Sequence, residues 1–225
     1  MKDYKALATK LNYDLSETDL VFLTFGNASV IDNDRTKVYI KPSGVNYKKL
    51  KDDNISVVDI ETGELIDGLK PSVDLDIHLE IYRSFKEINS VIHTHSKFVT
   101  IFAQSKKEIP IIGTTHADYF KGNIPITDEL TESEIVNNYE KNIGKKVVKL
   151  FQENNPLEIP AALISNHGCV VFGKNSKECL DNAIVLEFIA EMAYFADKPE
   201  TTENENVLYK FHHERKHGKG KYYGQ

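Results

Sequence analysis

Two histidines separated by one residue, His93-Thr94-His95, end the apolar run Val91-Ile92. On a strand, positions i and i+2 face the same side. The two imidazoles would then project side by side and could grip one divalent cation, and imidazole suits zinc. The plainer alternative is a pair of buried, hydrogen-bonded histidines. A third histidine falls at another expected strand end, in Ser165-Asn166-His167-Gly168 between the apolar runs 161–164 and 170–172. With one carboxylate, Asp74, the three complete a four-ligand shell. Asp74 closes Lys70-Pro71-Ser72-Val73-Asp74, just before an amphipathic stretch that reads as a helix through Phe85. Ser72 or Asp74 is by default its N-cap. The other reading makes Ser72 a phosphate contact and Asp74 a carboxylate near the metal. His78, inside that helix, reads as a core or surface histidine.

Two further stretches could bind an anion. Phe25-Gly26-Asn27 pairs a glycine, which lets backbone approach a ligand, with a side-chain amide that donates and accepts. Lys41-Pro42-Ser43-Gly44 offers an ammonium, a hydroxyl and glycine-exposed amides. Each also reads as an ordinary tight turn. Gly113-Thr114-Thr115-His116-Ala117-Asp118-Tyr119-Phe120 is dense in polar groups beside the strand-like run 109–112, which suggests a site or a hydrogen-bonded loop.

The elements expected to carry these residues alternate along the chain. Leu7, Leu11 and Leu15 mark a helix over 4–15, and 20–24 reads as a strand. Strands follow at 37–41, 55–60 and 64–66, the last two as a hairpin around Thr62-Gly63. The stretch 96–104 is helical. Thr131 with Glu134 makes a capping box for a helix running to about Phe151. Ser176 is read as the cap of a long helix with Leu180, Ile184, Phe188 and Met192 as its buried stripe. The end, from His212, is by composition a basic, disordered segment.

The 225 residues carry 40% hydrophobic side chains, enough for one substantial core. A net charge of −6 gives no bias toward nucleic acid or an anionic membrane. No apolar stretch is long enough to span a bilayer, and the N-terminus lacks a signal-peptide core. Two cysteines, Cys169 and Cys179, form no metal pattern and fit a reduced setting. A single domain over 1–225 in the cytoplasm is the simplest reading.

Nearly end to end, the chain resembles the L-ribulose-5-phosphate 4-epimerases of the class II aldolase family. The residues that carry the resemblance are Phe25-Gly26-Asn27, Lys41-Pro42-Ser43-Gly44-Val45, Pro71-Ser72 with Asp74, and His93-Thr94-His95-Ser96. It continues through the 113–120 block, His167-Gly168, Arg215-Lys216-His217-Gly218 and the terminal Tyr222-Tyr223-Gly224-Gln225. The two histidines and the distant His-Gly mark the broad superfamily. The 113–120 block and the Tyr-Tyr-Gly-Gln end are more specific to the epimerases. The resemblance implies an α/β fold of three α/β/α layers around a mixed, mostly antiparallel sheet. It also implies a homotetramer with active sites at subunit interfaces. Zinc would sit on His93, His95 and His167 with Asp74 close by, although Mn²⁺ or Co²⁺ suits the same ligands. Gly26, Asn27, Ser43, Gly44 and Ser72 fall at phosphate-binding positions, with Lys41 as a helper. Val73 replaces the second serine of the family's Ser-Ser, so a hydroxyl is lost while the backbone N–H remains.

The implied reaction interconverts L-ribulose 5-phosphate and D-xylulose 5-phosphate by breaking and remaking C3–C4. The resemblance assigns proton transfer at the C4 oxygen to Asp118 and Tyr223, assisted by His212, so the segment 212–225 would contribute to the active site. An aldolase such as L-fuculose-1-phosphate aldolase is the closest alternative, with glutamate where this chain has Asp74. The shorter Asp74, with Asp118 present, favours the epimerase. A catalytically dead zinc scaffold is countered by Asp118 and Tyr223, and a nucleic-acid binder acting through the basic tail is the remotest reading.

Overall fold

Along the central strands, successive side chains point to opposite faces, and helices cover both. The computed structural model describes residues 3–152, 155–196 and 202–223. Among these, seven strands form one sheet: β1 (Asn27–Ile31), β2 (Lys37–Ile40), β3 (Ser56–Asp59), β4 (Leu65–Asp67), β5 (Ser90–Thr94), β6 (Ala161–Ile164) and β7 (Gly168–Gly173). Their order is β4-β3-β2-β1-β5-β7-β6, and every neighbouring pair is antiparallel. Parallel pairing appears in the isolated bridge between Ile126 and Leu163. The described α-helices are α1 (Tyr4–Ser16), α2 (Leu75–Ser84), α3 (Lys97–Gln104), α4 (Gly113–Ala117), α5 (Glu132–Val136), α6 (Tyr139–Leu150), α7 (Ser176–Phe195) and α8 (Glu203–His217).

Two cores follow from the period of two. Ala28, Val30, Ile92, Leu163, Cys169 and Val171 pack with α1, α3 and α7. Ile31, Val91, Ile164, Val170 and Phe172 pack with α2 and α6 on the other side. His93 shares the parity of Val91, so it belongs to the α2/α6 face. The β1–β5 register sets Asn27 directly opposite His93.

Several sequence expectations need correcting. Residues 20–24 form turns, not a strand; Phe25 N–H bonds Phe22 C=O, Leu23 has φ 55°, and Phe22 and Leu23 are exposed. Residues 109–112 likewise contribute a single bridge, Ile109 to Ile124, in place of a strand. The capping box of Thr131 and Glu134 is present, but its helix stops at Val136. Asn138 adopts φ 57° and starts α6 in a new direction. Asn175, not Ser176, caps α7, accepting from the Glu178 N–H. The buried face of α7 carries Cys179, Asn182, Ala183, Leu186, Ile189, Ala190 and Ala193, whereas Ile184, Phe188 and Met192 are exposed. Small residues bring that helix close to the sheet: a Cβ on Gly173 would lie 2.7 Å from Cys179 Cα. The described part of the tail is not disordered: α8, opened by a capping box between Thr202 and Glu205, runs to His217, and a turn follows it. Gly224 and Gln225 of the terminal signature lie outside the described residues.

Two core histidines set an acid limit on this fold. His78 is fully buried, its Nδ1 2.7 Å from the Ser29 hydroxyl, which in turn lies 2.8 Å from the Tyr82 hydroxyl. Burial drives its pKa down to about 3, with Asp74 opposing and His93 assisting. Burial likewise takes His116 to about 4, against the bond its Nε2–H donates to the Gly122 carbonyl (2.8 Å). Both are neutral in the fold, whereas unfolded histidine titrates near about 6.5. As pH falls through that value, only the unfolded chain takes up these protons, so stability declines toward the native values. Urea midpoints should therefore hold above about pH 6.5 and fall steadily toward pH 4. His116→Gln, which keeps the donor but not the titration, should flatten part of that decline.

Candidate metal centre and active-site cleft

The C-terminal end of β5, the β6–β7 turn and the starts of α2 and α6 meet around one cleft of about 420 Å³. His93 is buried at the end of β5, and its Nδ1–H donates to the Cys169 carbonyl on β7 (2.8 Å). That bond fixes the tautomer and leaves Nε2 with its lone pair turned to the cleft. His95 Nε2 lies 3.0 Å from it. His167 reaches the same spot from the turn after β6, where Asn166 takes φ 61°, a conformation asparagine tolerates. The three rings sit 4.7–5.0 Å apart, and one nitrogen from each lies within 4.8 Å of the others. Burial, reinforced by the neighbouring rings, lowers His95 and takes His167 to about 4. Both of these imidazoles are thus neutral and ligand-competent near pH 7.

This donor set fits a divalent ion. Four-coordinate zinc with bonds of about 2.05 Å spaces its ligand nitrogens by roughly 3.3 Å, close to the His93–His95 separation. Each outer nitrogen that matters is also held: His93 by Cys169, and His167 Nδ1 by the Tyr139 hydroxyl at 3.1 Å. Asp74 stands apart from this close trio. Its Oδ2 accepts from Asn27 Nδ2 (2.7 Å) and sits 3.3 Å from the Ser72 hydroxyl. Asp74 occupies the N-cap position of α2 but makes no side-chain cap bond. Burial opposes its charge, yet His93, His78, Asn27 and His167 together hold its carboxyl below the usual range.

The anion-binding candidates line the same cleft. Gly26 has φ 80°, and a Cβ there would come 2.9 Å from Val21 and 3.0 Å from the His93 carbonyl. Asn27 Nδ2 also reaches Ser72 Oγ (3.0 Å), while its Oδ1 is buried without a partner. Lys41 is only 2% exposed, lies 4.7 Å from the centre of the Tyr47 ring, and has one long contact, 3.4 Å to the Thr24 carbonyl. Burial lowers its pKa to about 8, with Asp74 opposing. Such an under-partnered buried ammonium is a ready anion site. The backbone contributes less than the sequence suggests. Ser72 N–H donates to the Lys41 carbonyl (3.2 Å), and Ser43 N–H to that of Lys70 (3.0 Å). The Ser43 and Ser72 hydroxyls, Gly44 and Lys41 remain on the cleft wall, and the Val73 side chain is exposed at its edge.

Asp118, His212 and Tyr223 gather elsewhere. Asp118 ends α4, and α8 crosses it: His212 Nδ1 lies 3.1 Å from Asp118 Oδ1, and Arg215 pairs with Oδ2 at 3.1 Å. Tyr223 folds back on Arg215 and is half exposed. None of the three lines the histidine cleft. Within one chain there are therefore two clusters. Sequence reasoning missed Tyr139 and Glu140, which line the cleft. The signal was Asn137-Asn138, a pair suited to breaking a helix, hidden by reading one helix through to Phe151.

Removing one ligand of three should release most of the metal, so His95→Asn should lower divalent-ion content, read by elemental analysis; full occupancy would remove His95 from the centre. A subtler test is Gly168→Ala. The new Cβ would collide with the Thr94 carbonyl and approach His95 Cδ2 to 3.2 Å. It should cost about 1–3 kcal/mol of stability by overpacking and weaken metal binding through the displaced ring, measured by urea unfolding and metal titration.

The fold has known relatives. An L-fuculose 1-phosphate aldolase superposes with a TM-score of 0.77 at 24% identity, over 94% of this chain and 96% of that one. YgbL of Escherichia coli, a candidate aldolase/epimerase/decarboxylase, gives 0.74 at 23%, over 92% and 97%. A sugar-phosphate aldolase from Thermotoga maritima gives 0.69 at 20%, over 88% and 97%. At these identities the likeness establishes the fold. The sequence profile of the class II aldolase and adducin N-terminal domain matches residues 7–194. The chain belongs to the class II aldolase and adducin N-terminal domain family.

Proposed function

We propose that the protein is a metal-dependent L-ribulose-5-phosphate 4-epimerase. The observation that carries this reading is the cleft itself: His95 and His167, clustered with His93, share one wall with a buried lysine and two serine hydroxyls. A phosphoketose fits that combination, its phosphate on Lys41, Asn27, Ser43, Gly44 and Ser72 and its carbonyl end toward the histidines. A divalent ion on His93, His95 and His167, zinc in this reading, supplies Lewis-acid stabilisation of negative charge on the substrate oxygens. Asp74, braced by Asn27 and Ser72, keeps a carboxylate beside that centre.

Breaking C3–C4 gives the enediolate of dihydroxyacetone and glycolaldehyde phosphate. The aldehyde turns over its other face and is attacked again, which inverts C4. The C4 oxygen must lose a proton on one face and regain it on the other. Asp118 and Tyr223 take these roles, with His212 beside Asp118. Because they lie outside the histidine cleft of their own chain, they serve the cleft of a neighbouring copy. A homotetramer with sites between subunits meets this need. The exposed Phe22, Leu23 and Phe25 beside the cleft, and Ile184, Phe188 and Met192 on α7, supply apolar surface for such contacts. Among the described residues no helix is long and apolar enough to cross a membrane, and a cytoplasmic setting fits a phosphorylated sugar substrate.

A second reading, a sugar-phosphate aldolase, is favoured by the similarity to L-fuculose 1-phosphate aldolase. Incubating the zinc-loaded protein with L-ribulose 5-phosphate decides between the two. D-xylulose 5-phosphate supports the epimerase, and accumulation of free glycolaldehyde phosphate supports the aldolase. Asp118→Asn should retain metal while turnover falls by about 10²-fold or more, as for loss of an acid–base group. Tyr223→Phe should lower kcat with little change in KM, the pattern of an interaction made in the transition state. Normal turnover in either variant would remove that residue from the mechanism.

A further inference from the structure

Arg215 is a residue to which the proposed reaction gives no role, yet both members of the acid–base pair converge on it. Its guanidinium forks onto Asp118: Nη2 lies 3.1 Å from Oδ2 and 3.3 Å from Oδ1, and Nε lies 3.4 Å from Oδ1. The carbon of the same guanidinium lies over the Tyr223 ring, 4.5 Å from its centre. Its backbone carbonyl accepts from the N–H groups of Tyr222 (3.0 Å) and Tyr223 (3.2 Å). Asp118 and Tyr223 are 105 positions apart, and the Arg215 side chain touches both.

Resting on the reading of Asp118 and Tyr223 as a proton-transferring pair, we propose that Arg215 is the positioning residue that sets their mutual geometry. Arginine suits this because one planar group offers an edge of donors to a carboxylate and a face to an aromatic ring. The edge fixes the plane of the Asp118 carboxylate, and the face fixes the tilt of the Tyr223 ring. His212 adds a second donor to Asp118 but makes no contact with Tyr223, so it cannot couple the two. Lysine at this position would keep the charge and lose both the fork and the face.

The test separates position from chemistry. With 3-fluorotyrosine placed at position 223, the ¹⁹F resonance of the otherwise native protein should stand apart from that of the free amino acid. In Arg215→Lys and Arg215→Gln it should collapse toward the free value, while the urea midpoint shows the fold intact. In the same variants kcat for L-ribulose 5-phosphate should fall by about 10²-fold, the scale of a misplacement near 1 Å, with KM nearly unchanged. Millimolar guanidinium added to Arg215→Ala should restore part of kcat. A resonance that stays put in both folded variants overturns the proposal, whatever the substrate proves to be. Absence of epimerisation by the native protein would instead strike the functional reading, and the resonance would still decide the role of Arg215.

Discussion

Three imidazoles whose rings stand less than about 5 Å apart repel one another as soon as two carry protons. The site depends on keeping them neutral and close. Burial and mutual proximity hold His95 and His167 below the usual histidine range. The Cys169 carbonyl accepts the Nδ1–H of His93 and directs its other nitrogen inward. Much of the surrounding structure serves this spacing. The antiparallel register of β5 with β7 supplies the carbonyl, and Gly168 lets the two strand ends close without a side chain between Thr94 and His95. The break at Asn138 turns Tyr139 onto His167.

The polar seam between β1 and α2 is the second support. Asp74, His78 and Tyr82 lie at helical spacing on α2, and Asn27 and Ser29 lie at strand spacing on β1. Asn27 meets Asp74 and Ser29 meets both His78 and Tyr82. Buried polar networks of this kind fix one register for the helix against the sheet. A shift of α2 by one turn would separate Ser72 and Asp74 from Asn27 and open the anion-binding wall. The same seam explains why Asp74 gives up the capping bond that its position at the helix start would allow.

The centre was legible in the sequence wherever chemistry and periodicity coincided. His93 and His95 sit on a strand end because i and i+2 share a face, and His167 follows a second strand as the alternation of apolar runs required. The hairpin at Thr62-Gly63 and the capping box of Thr131 with Glu134 were equally direct. Reading failed where the largest apolar residues were taken as the buried ones. On α7, the buried face mixes small residues with Leu186 and Ile189, while Ile184, Phe188 and Met192 face out; the close approach of Gly173 to Cys179 sets the helix near the sheet at its start. It failed again at 131–151, where one left-handed asparagine outweighs a continuous helical pattern. Composition alone made the tail look disordered. Its order comes from long-range pairing of Arg215 with Asp118, a contact that no local pattern encodes.

Cys169 ties the centre to a reporter that needs no substrate. Its carbonyl orients His93, while burial pushes its thiol up to about 12 and seals it against alkylating reagents. The carbonyl and the thiol belong to one residue of β7, and the thiol packs on the sheet face opposite His93, in the core with α3 and α7. The rate at which iodoacetamide marks Cys169 therefore times the opening of the core behind the histidines. In a protein without tryptophan, this makes the thiol a chemical clock for the integrity of the centre.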